Sequence, residues 1–495
     1  MTLIAHRRFV ETALDRTGEG LGYVTVPAPA RRPEAVLAAA RTAFADLRCG
    51  RATEEEAVSG LCWLPTAGPS YVCFGATRAL AGPLESAVLR QEASDLLSTI
   101  TSFNHPSLKR APRARLFGGF AFAPGSASAF PWEAFGDGWL VLPRWCYGCQ
   151  GERAWLSLAI EGPLDGEGRT RLQEEMDILG AALEDRLVVT PSATDVASRP
   201  DLSPPGGRGA TTAADPVSRS SPQAADGLAR ERWERMVREI LGAIDAGEVS
   251  KVVAARCSMV EVQGATEPAS TLEALGDRYP GCTRFCVEAG GAWFLGASPE
   301  RLVRKRGRAV ATEVLAGSAG PGEGVDLLED PKIRREHELV LDDMKARLAP
   351  LCEGVQAGEP ELLQLSNVVH RKTFLRAQAR EGVSVLDVVV ALHPTPAVGG
   401  VPREVALRWI AKREPDARGW YAGPLGWLDA SGDGEFIVAL RSGLVCDGRA
   451  WLFAGAGIVR GSRPADEFDE TEHKLRAMRE ALEAVARPYP VAALP

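Results

Sequence analysis

Residues 191–226 set the first limit on how this chain can fold. The stretch is dominated by Pro, Ser, Ala, Gly, Thr and Asp, has Pro204-Pro205-Gly206-Gly207 at its centre, and carries almost no large apolar side chain. Such a segment cannot bury enough surface to offset the entropy lost on ordering, so it reads as a flexible linker or long surface loop, 191–227 at its widest. It separates a front part, 1–190, from a back part that begins at 227. At 495 residues, length alone suggests roughly three domains.

The front part alternates helical stretches (Arg32 to Leu47, Ser86 to Thr101) with strand-like runs (Tyr71 to Gly75, Leu116 to Ala123, Trp139 to Pro143, Ala154 to Ile160). Leu116-Phe-Gly-Gly-Phe-Ala-Phe122 reads as a buried strand with close backbone approach at its glycines. No catalytic constellation is visible there, and the front part is read as a structural half.

The back part opens on a periodic helix. Trp233, Met236, Val237, Ile240, Leu241 and Ile244 share one face, as a core-facing stripe does. After Gly247 the run Val249 to Val262 is β-rich. Further strands are predicted at 292–295, 308–313, 422–427, 436–440 and 450–453, and helices at 332–351, 403–412 and 467–484. Successive strands without regular helical crossovers imply an α+β antiparallel architecture.

Composition excludes some functions. The net charge of −8 argues against binding nucleic acid through a basic face. No apolar run approaches the ~20 residues of a membrane span, and Met1 to Gly20 lacks the apolar core of a secretory signal, so a cytoplasmic protein that binds no membrane is expected. Ten scattered cysteines, with one Cys146-Tyr-Gly-Cys149 pair, read as reduced thiols.

Several residues could carry chemistry, each with a plain alternative. Lys251 starts a strand of small apolar residues; it is a desolvated base or an edge-strand lysine placed against aggregation. Glu300 leaves the turn Gly296-Ala-Ser-Pro-Glu300 as a fixed general acid or an exposed turn residue. Glu336-His337 lies on a charged helix, where such pairs are usually solvated. Glu467, Glu470 and Lys474 share a helix face, as a salt-bridged surface does. Yet they follow Ala454-Gly-Ala-Gly-Ile-Val459, a small-residue floor beside which carboxylates can hold a hard cation. His393-Pro-Thr-Pro-Ala-Val-Gly-Gly400 is a pocket-shaping loop. Arg441, at the end of the predicted strand 436–440, is placed to meet an anion.

In order, Ser250-Lys-Val-Val253, Phe294-Leu-Gly-Ala-Ser-Pro-Glu300, Leu315-Ala-Gly-Ser318, Glu336-His337, His393-Pro-Thr-Pro-Ala397, Arg418-Gly-Trp-Tyr-Ala-Gly423, Val438-Ala-Leu-Arg441 and Ala454-Gly-Ala-Gly-Ile-Val459 with Glu467-Phe-Asp-Glu470 resemble the chorismate-utilising enzymes. That family includes anthranilate, aminodeoxychorismate, salicylate and isochorismate synthases. The likeness covers 228–485, within a chorismate-binding catalytic part of 228–490, and touches the front part mainly at Phe117-Gly-Gly-Phe120. It implies a single chorismate-binding fold of two large antiparallel β-sheets flanked by helices, with the Pro/Ser-rich stretch an excursion within it. It also implies Mg²⁺ on Glu336 and Glu470 with Glu467 nearby, the metal holding the ring carboxylate. Arg441 and Tyr421 would meet the enolpyruvyl carboxylate, and Gly317, Ser318, His370, Gly455, Gly457 and Lys474 would line the pocket. Lys251 would activate water and Glu300 would protonate the departing C4 hydroxyl. With Ala397 at the sorting position, the resemblance is closest to isochorismate synthase, needing no glutaminase subunit. Salicylate synthase and a non-catalytic binding homologue are the alternatives. Menaquinone and catechol siderophores are the expected outlets. Two positions depart from the pattern: Ala-Gly-Pro-Gly322 after Ser318, and Arg371 after His370.

Overall fold

A computed structural model describes residues 6–48, 58–109, 112–184, 222–262, 267–319, 327–364 and 369–486. The Pro/Ser-rich stretch lies outside the described residues up to 221. The periodic helix begins at Pro222, inside the 191–227 expected to be a linker, and a proline there costs no intrahelical hydrogen bond.

In chain order the front part holds α1 (Arg7–Thr17), β1 (Leu21–Pro27), α2 (Pro33–Arg48), β2 (Val58–Leu64), β3 (Ser70–Ala81), α3 (Ala87–Thr99), β4 (Thr101–Asn104), β5 (Arg115–Phe120), β6 (Gly138–Gln150), β7 (Arg153–Glu161) and α4 (Gly166–Glu184). The back part begins with α5 (Pro222–Asp245), β8 (Lys251–Glu261), α6 (Pro268–Arg278), β9 (Thr283–Ala289), β10 (Ala292–Ser298), β11 (Arg301–Arg306), β12 (Ala309–Ala319) and α7 (Pro331–Leu348). It continues with β13 (Cys352–Ala357), β14 (Glu361–Gln364), β15 (Val369–Ala379), α8 (Val385–Leu392), β16 (Gly400–Val401), α9 (Arg403–Arg413), β17 (Pro424–Asp429), β18 (Gly434–Val438), β19 (Ser442–Cys446), β20 (Arg449–Val459) and α10 (Pro464–Ala486).

The strands form two large series joined at β6. One runs β4-β1-β7-β6-β3-β2-β9-β10-β19-β20-β8-β16, antiparallel except for the parallel pair β1–β4. The other leaves β6 as β5-β17-β18-β11-β12-β15, with β13 and β14 along the far side of β15. Front and back strands are hydrogen-bonded neighbours at two places, β2 with β9 and β5 with β17, so the halves share both series. The three-domain expectation from length therefore gives way to two interleaved sheets.

The glycines of Phe117-Gly-Gly-Phe120 are needed for this join. A Cβ on Gly118 would fall 1.9 Å from the Trp139 carbonyl oxygen, and one on Gly119 would fall 2.6 Å from the Trp420 ring. Alternation along each strand then supplies two cores. Phe294 of the first series faces a core that gathers Phe117, Val314, Leu375 and Phe436 from the second, with Ile240 of α5 and Val340 of α7. Its neighbour Leu295 faces the opposite way, into a core closed by Val10, Leu37, Leu172, Leu272 and Met478 of α1, α2, α4, α6 and α10. Cys146 and Cys149 lie along β6 as free thiols, among the free cysteines of the described residues. No helix among the described residues is long and apolar enough to cross a membrane.

Candidate active site

One cavity collects nearly every residue singled out in the sequence. Lys251, Glu300, Gly317, Glu336, His370, Ala397, Tyr421, Arg441, Gly455, Gly457, Glu467, Glu470 and Lys474 all line it. Ser318 pairs through its backbone with His370, and its side chain lies outside what the structure describes. The front part contributes none of these residues.

Lys251 begins β8, which lies between β20 and the short β16. It is not an edge lysine: it is 1 % exposed, and its Nζ donates to Glu336 Oε1 at 2.8 Å. The gap that admits this pair is Gly457. A Cβ there would sit 2.6 Å from Glu336 Oε1 and 3.0 Å from Lys251 Cε.

Glu336 projects from α7, whose N-terminus is capped by Asp330 accepting from the Ile333 amide at 2.9 Å. Its neighbour His337 is buried, not solvated. Burial lowers the pKa of His337, and the neutral ring lies 3.1 Å from Ala316 O through Nδ1 and 2.8 Å from Thr373 Oγ1 through Nε2. These contacts tie α7 to β12 and β15 and fix the rotation that sends Glu336 into the cavity.

Glu300 stands in the tight turn between β10 and β11. Its amide donates to Ser298 Oγ at 3.2 Å and its carbonyl accepts from the Val438 amide at 3.1 Å, so its backbone is held on both sides. The side chain is 3 % exposed. Burial, with the nearby Glu313 carboxylate, pushes its pKa up to about 8, against a smaller downward pull from Lys251 and Lys474. At neutral pH this is a carboxylic acid with a proton to give.

The opposite wall is cationic. Arg441 follows β18, which ends at Val438, so the residue sits in the β18–β19 connection and not at a strand end. It holds a φ of 50°, an uncommon value for a non-glycine residue. The sharp turn aims its guanidinium inward, where Nη2 donates to His370 Nε2 at 3.2 Å. Burial and the neighbouring Arg441 and Lys474 charges hold His370 neutral, well below the usual histidine range. Arg371 points the other way on the same strand and donates to the Leu328 carbonyl at 2.6 Å. The departure at that position therefore leaves His370 in the cavity. Tyr421 stacks on Phe453 with ring centroids 5.3 Å apart, and burial raises its pKa, keeping the phenol a donor.

α10 closes the remaining side. Lys474 Nζ contacts Glu470 Oε1 at 2.6 Å and donates to the Gly455 carbonyl at 2.8 Å, fixing the helix against β20. Glu336, Glu467 and Glu470 bring hard oxygen donors to one cavity, the donor type Mg²⁺ takes. Among the described residues no three His, Cys, Asp or Glu side chains form a ready-made metal cage. This is compatible with Mg²⁺, which ordinarily uses few carboxylates and completes its shell with water and ligand oxygens. One lining residue that sequence reasoning left without a role is Arg418; its signal was its place at the head of the Arg418-Gly-Trp-Tyr motif.

The chain belongs to the chorismate binding enzyme family, whose model matches residues 208–483. Among curated proteins, it is 37% identical over 380 residues to a "salicylate biosynthesis isochorismate synthase" of Pseudomonas aeruginosa, covering 75% of each chain. It is 32% identical over 382 residues to isochorismate synthase MenF of Bacillus subtilis, covering 74% of each. Among solved structures, MenF of Escherichia coli, titled a menaquinone-specific isochorismate synthase, superposes with a TM-score of 0.67 at 26% identity, covering 96% of this chain and 99% of that one. Anthranilate synthase component I of Streptococcus pneumoniae, at 22% identity and a TM-score of 0.57 over 85% of this chain and 90% of that one, shares the fold.

Proposed function

We propose that this chain is an isochorismate synthase, converting chorismate to isochorismate. The observation that carries this reading is the pairing, across one cavity, of a buried lysine with a carboxyl group that burial keeps protonated. Adding water at C2 and expelling the C4 hydroxyl needs a base where the water attacks and an acid where the hydroxyl leaves. Acting as the base, Lys251 takes a proton from water as its oxygen bonds to C2. The ring double bonds shift, the C4–O bond breaks, and the departing oxygen takes the Glu300 proton and leaves as water. One water enters and one leaves, so substrate and product are isomers. The enzyme is left with Lys251 protonated and Glu300 ionised, and exchange with solvent resets both.

Chorismate is a dianion, and the net charge of −8 offers no general attraction, so binding is local. Arg441 and the Tyr421 hydroxyl would take one carboxylate. Glu336 and Glu470, with Glu467 beside them, would hold Mg²⁺. A bound Mg²⁺ would supply positive charge for the ring carboxylate. Neutral His370, accepting from Arg441, orients that guanidinium without adding a competing charge. The nucleophile is water, and no glutaminase partner is required. The enzyme would act in the cytoplasm, with menaquinone or catechol siderophores as the outlets.

Incubation with chorismate and Mg²⁺, followed by chromatography, tests the reading. Isochorismate as the product supports it. Pyruvate with salicylate would instead identify a salicylate synthase, and no turnover would identify a binding homologue.

A further inference from the structure

We infer that Arg418 and Glu414 form a positioning pair for Lys251, acting as a side-chain substitute for a missing strand. This inference rests on the function proposed above. It starts from the edge of β8. On one side β8 is paired along its whole length with β20. On the other, β16 covers only Lys251 and Val252, and the Val253 amide is taken by Gly399 O at 2.8 Å. Beyond that point the next backbone groups on this edge are the Val253 carbonyl and the Ala255 amide, and among the described residues no strand is paired with them. Arg418 Nη2 donates to Val253 O at 2.8 Å, and Glu414 Oε1 accepts from the Ala255 amide at 2.8 Å. An ion pair thus satisfies the donor and acceptor that a neighbouring strand would have met.

The same pair also grips the loop that leads into β16. Arg418 Nη1 donates to Val398 O at 2.8 Å, next to Ala397, and the guanidinium lies 4.1 Å over the Phe122 ring. Nε and Nη2 grip Glu414 at 2.8 and 2.5 Å, and both side chains are buried, at 3 % and 5 % exposure. Arg418 therefore spends four of its five N–H donors on protein atoms, which sets it apart from Arg441. Its planar fork ties the Lys251 strand, the Ala397 loop and the head of the Tyr421 loop into one unit. A lysine cannot reproduce that geometry. The base must sit within hydrogen-bond reach of a water aimed at C2, so a small drift of β8 harms the chemical step while leaving the ground-state contact of Arg441, on the β18–β19 connection, in place.

Two variants test this in the full-length enzyme. Arg418→Lys keeps the charge and loses the fork. Arg418→Met with Glu414→Gln removes the buried charges together, avoiding an orphaned ion, while the glutamine can still accept from Ala255. Folding is checked by circular dichroism and chorismate affinity by calorimetry. The expected result for folded variants is a kcat at least tenfold lower with chorismate Kd within threefold of wild type. In a Lys251→Ala background the same substitutions should cost less than twofold more, because they act through Lys251. Either of two results would overturn the inference: a folded double variant with kcat within twofold of wild type, or kcat losses that repeat in full without Lys251. A double variant that does not fold while Arg418→Lys folds with normal kcat would also overturn it, reducing the pair to a stability element. Wild-type protein that forms no isochorismate would defeat the proposed function and this inference together, an outcome distinct from an active wild type with unaffected variants.

Discussion

Replacing Glu300 by glutamine should make the protein more stable while disabling it. The buried carboxyl has its pKa raised from 4.5 to about 8, a gap of about 3.5 pH units, with burial the largest cause. At about 1.4 kcal/mol per unit, keeping this group ionised in the folded state costs roughly 5 kcal/mol. The sign follows from proton counting. Between pH 4.5 and 8 the folded protein holds a proton that the unfolded chain has released, so stability falls as pH rises through that window and levels off above it. A glutamine cannot ionise and lacks this slope. The difference, variant minus wild type, should be near zero at about pH 4, about 1 kcal/mol at pH 5 and about 3 kcal/mol at pH 7, and should approach about 5 kcal/mol above pH 8.5. Urea denaturation followed by tryptophan fluorescence at pH 5.5, 7 and 8.5, in EDTA so that no metal contributes, measures it. Over the same range Glu300→Gln should lose about 10² to 10⁴ in kcat, the usual contribution of a general acid, and the wild-type decline in kcat/KM above about pH 8 should have no counterpart in the variant. A stability difference that varies by less than about 1 kcal/mol from pH 5.5 to 8.5 would refute the claim that burial keeps Glu300 protonated.

Lys251→Ala should lower kcat by about 10² or more while chorismate still binds, measured by steady-state kinetics beside calorimetry; full isochorismate formation would sink the base assignment. Gly457→Ala should cost activity at least tenfold with little change in Tm, because its methyl would lie 2.6 Å from Glu336 Oε1 and displace only the ends of two flexible side chains. Removing divalent cations with EDTA should abolish turnover and Mg²⁺ should restore it; undiminished rates in EDTA would contradict a metal on Glu336 and Glu470. In a Glu336→Gln variant the Mg²⁺ concentration for half-maximal rate should rise at least tenfold, read from a titration at saturating chorismate.

Much of this protein was legible before its fold. Patterns that repeat locally survive in any tertiary setting, so α5, α7, α9 and α10 fall where apolar spacing and charge placed them, and so do β8, β10 and β20. Turn chemistry marked Glu300 through Pro299, whereas Gly296, expected in the same turn, lies inside β10 paired with Phe285 and Ser442. The cavity roles came from ordered motifs resembling a family, and the structure gathers those residues into one place. Local signals could not decide burial. On position alone Lys251 read as an edge lysine before a base, and Glu336-His337 as a solvated pair. It is β16 and β20 on either side of β8, and the Ala316 and Thr373 anchors of His337, that remove both from solvent. Domain count was also a tertiary matter, since strand pairing between β2 and β9 and between β5 and β17 joins residues far apart in sequence. The amino-acid sequence by itself determined which groups the chain carries and in what local conformation. The fold decided their electrostatics: Glu300 holds a proton near neutrality only because packing removes its water and sets Glu313 nearby, and solvation is a property of the assembled neighbours.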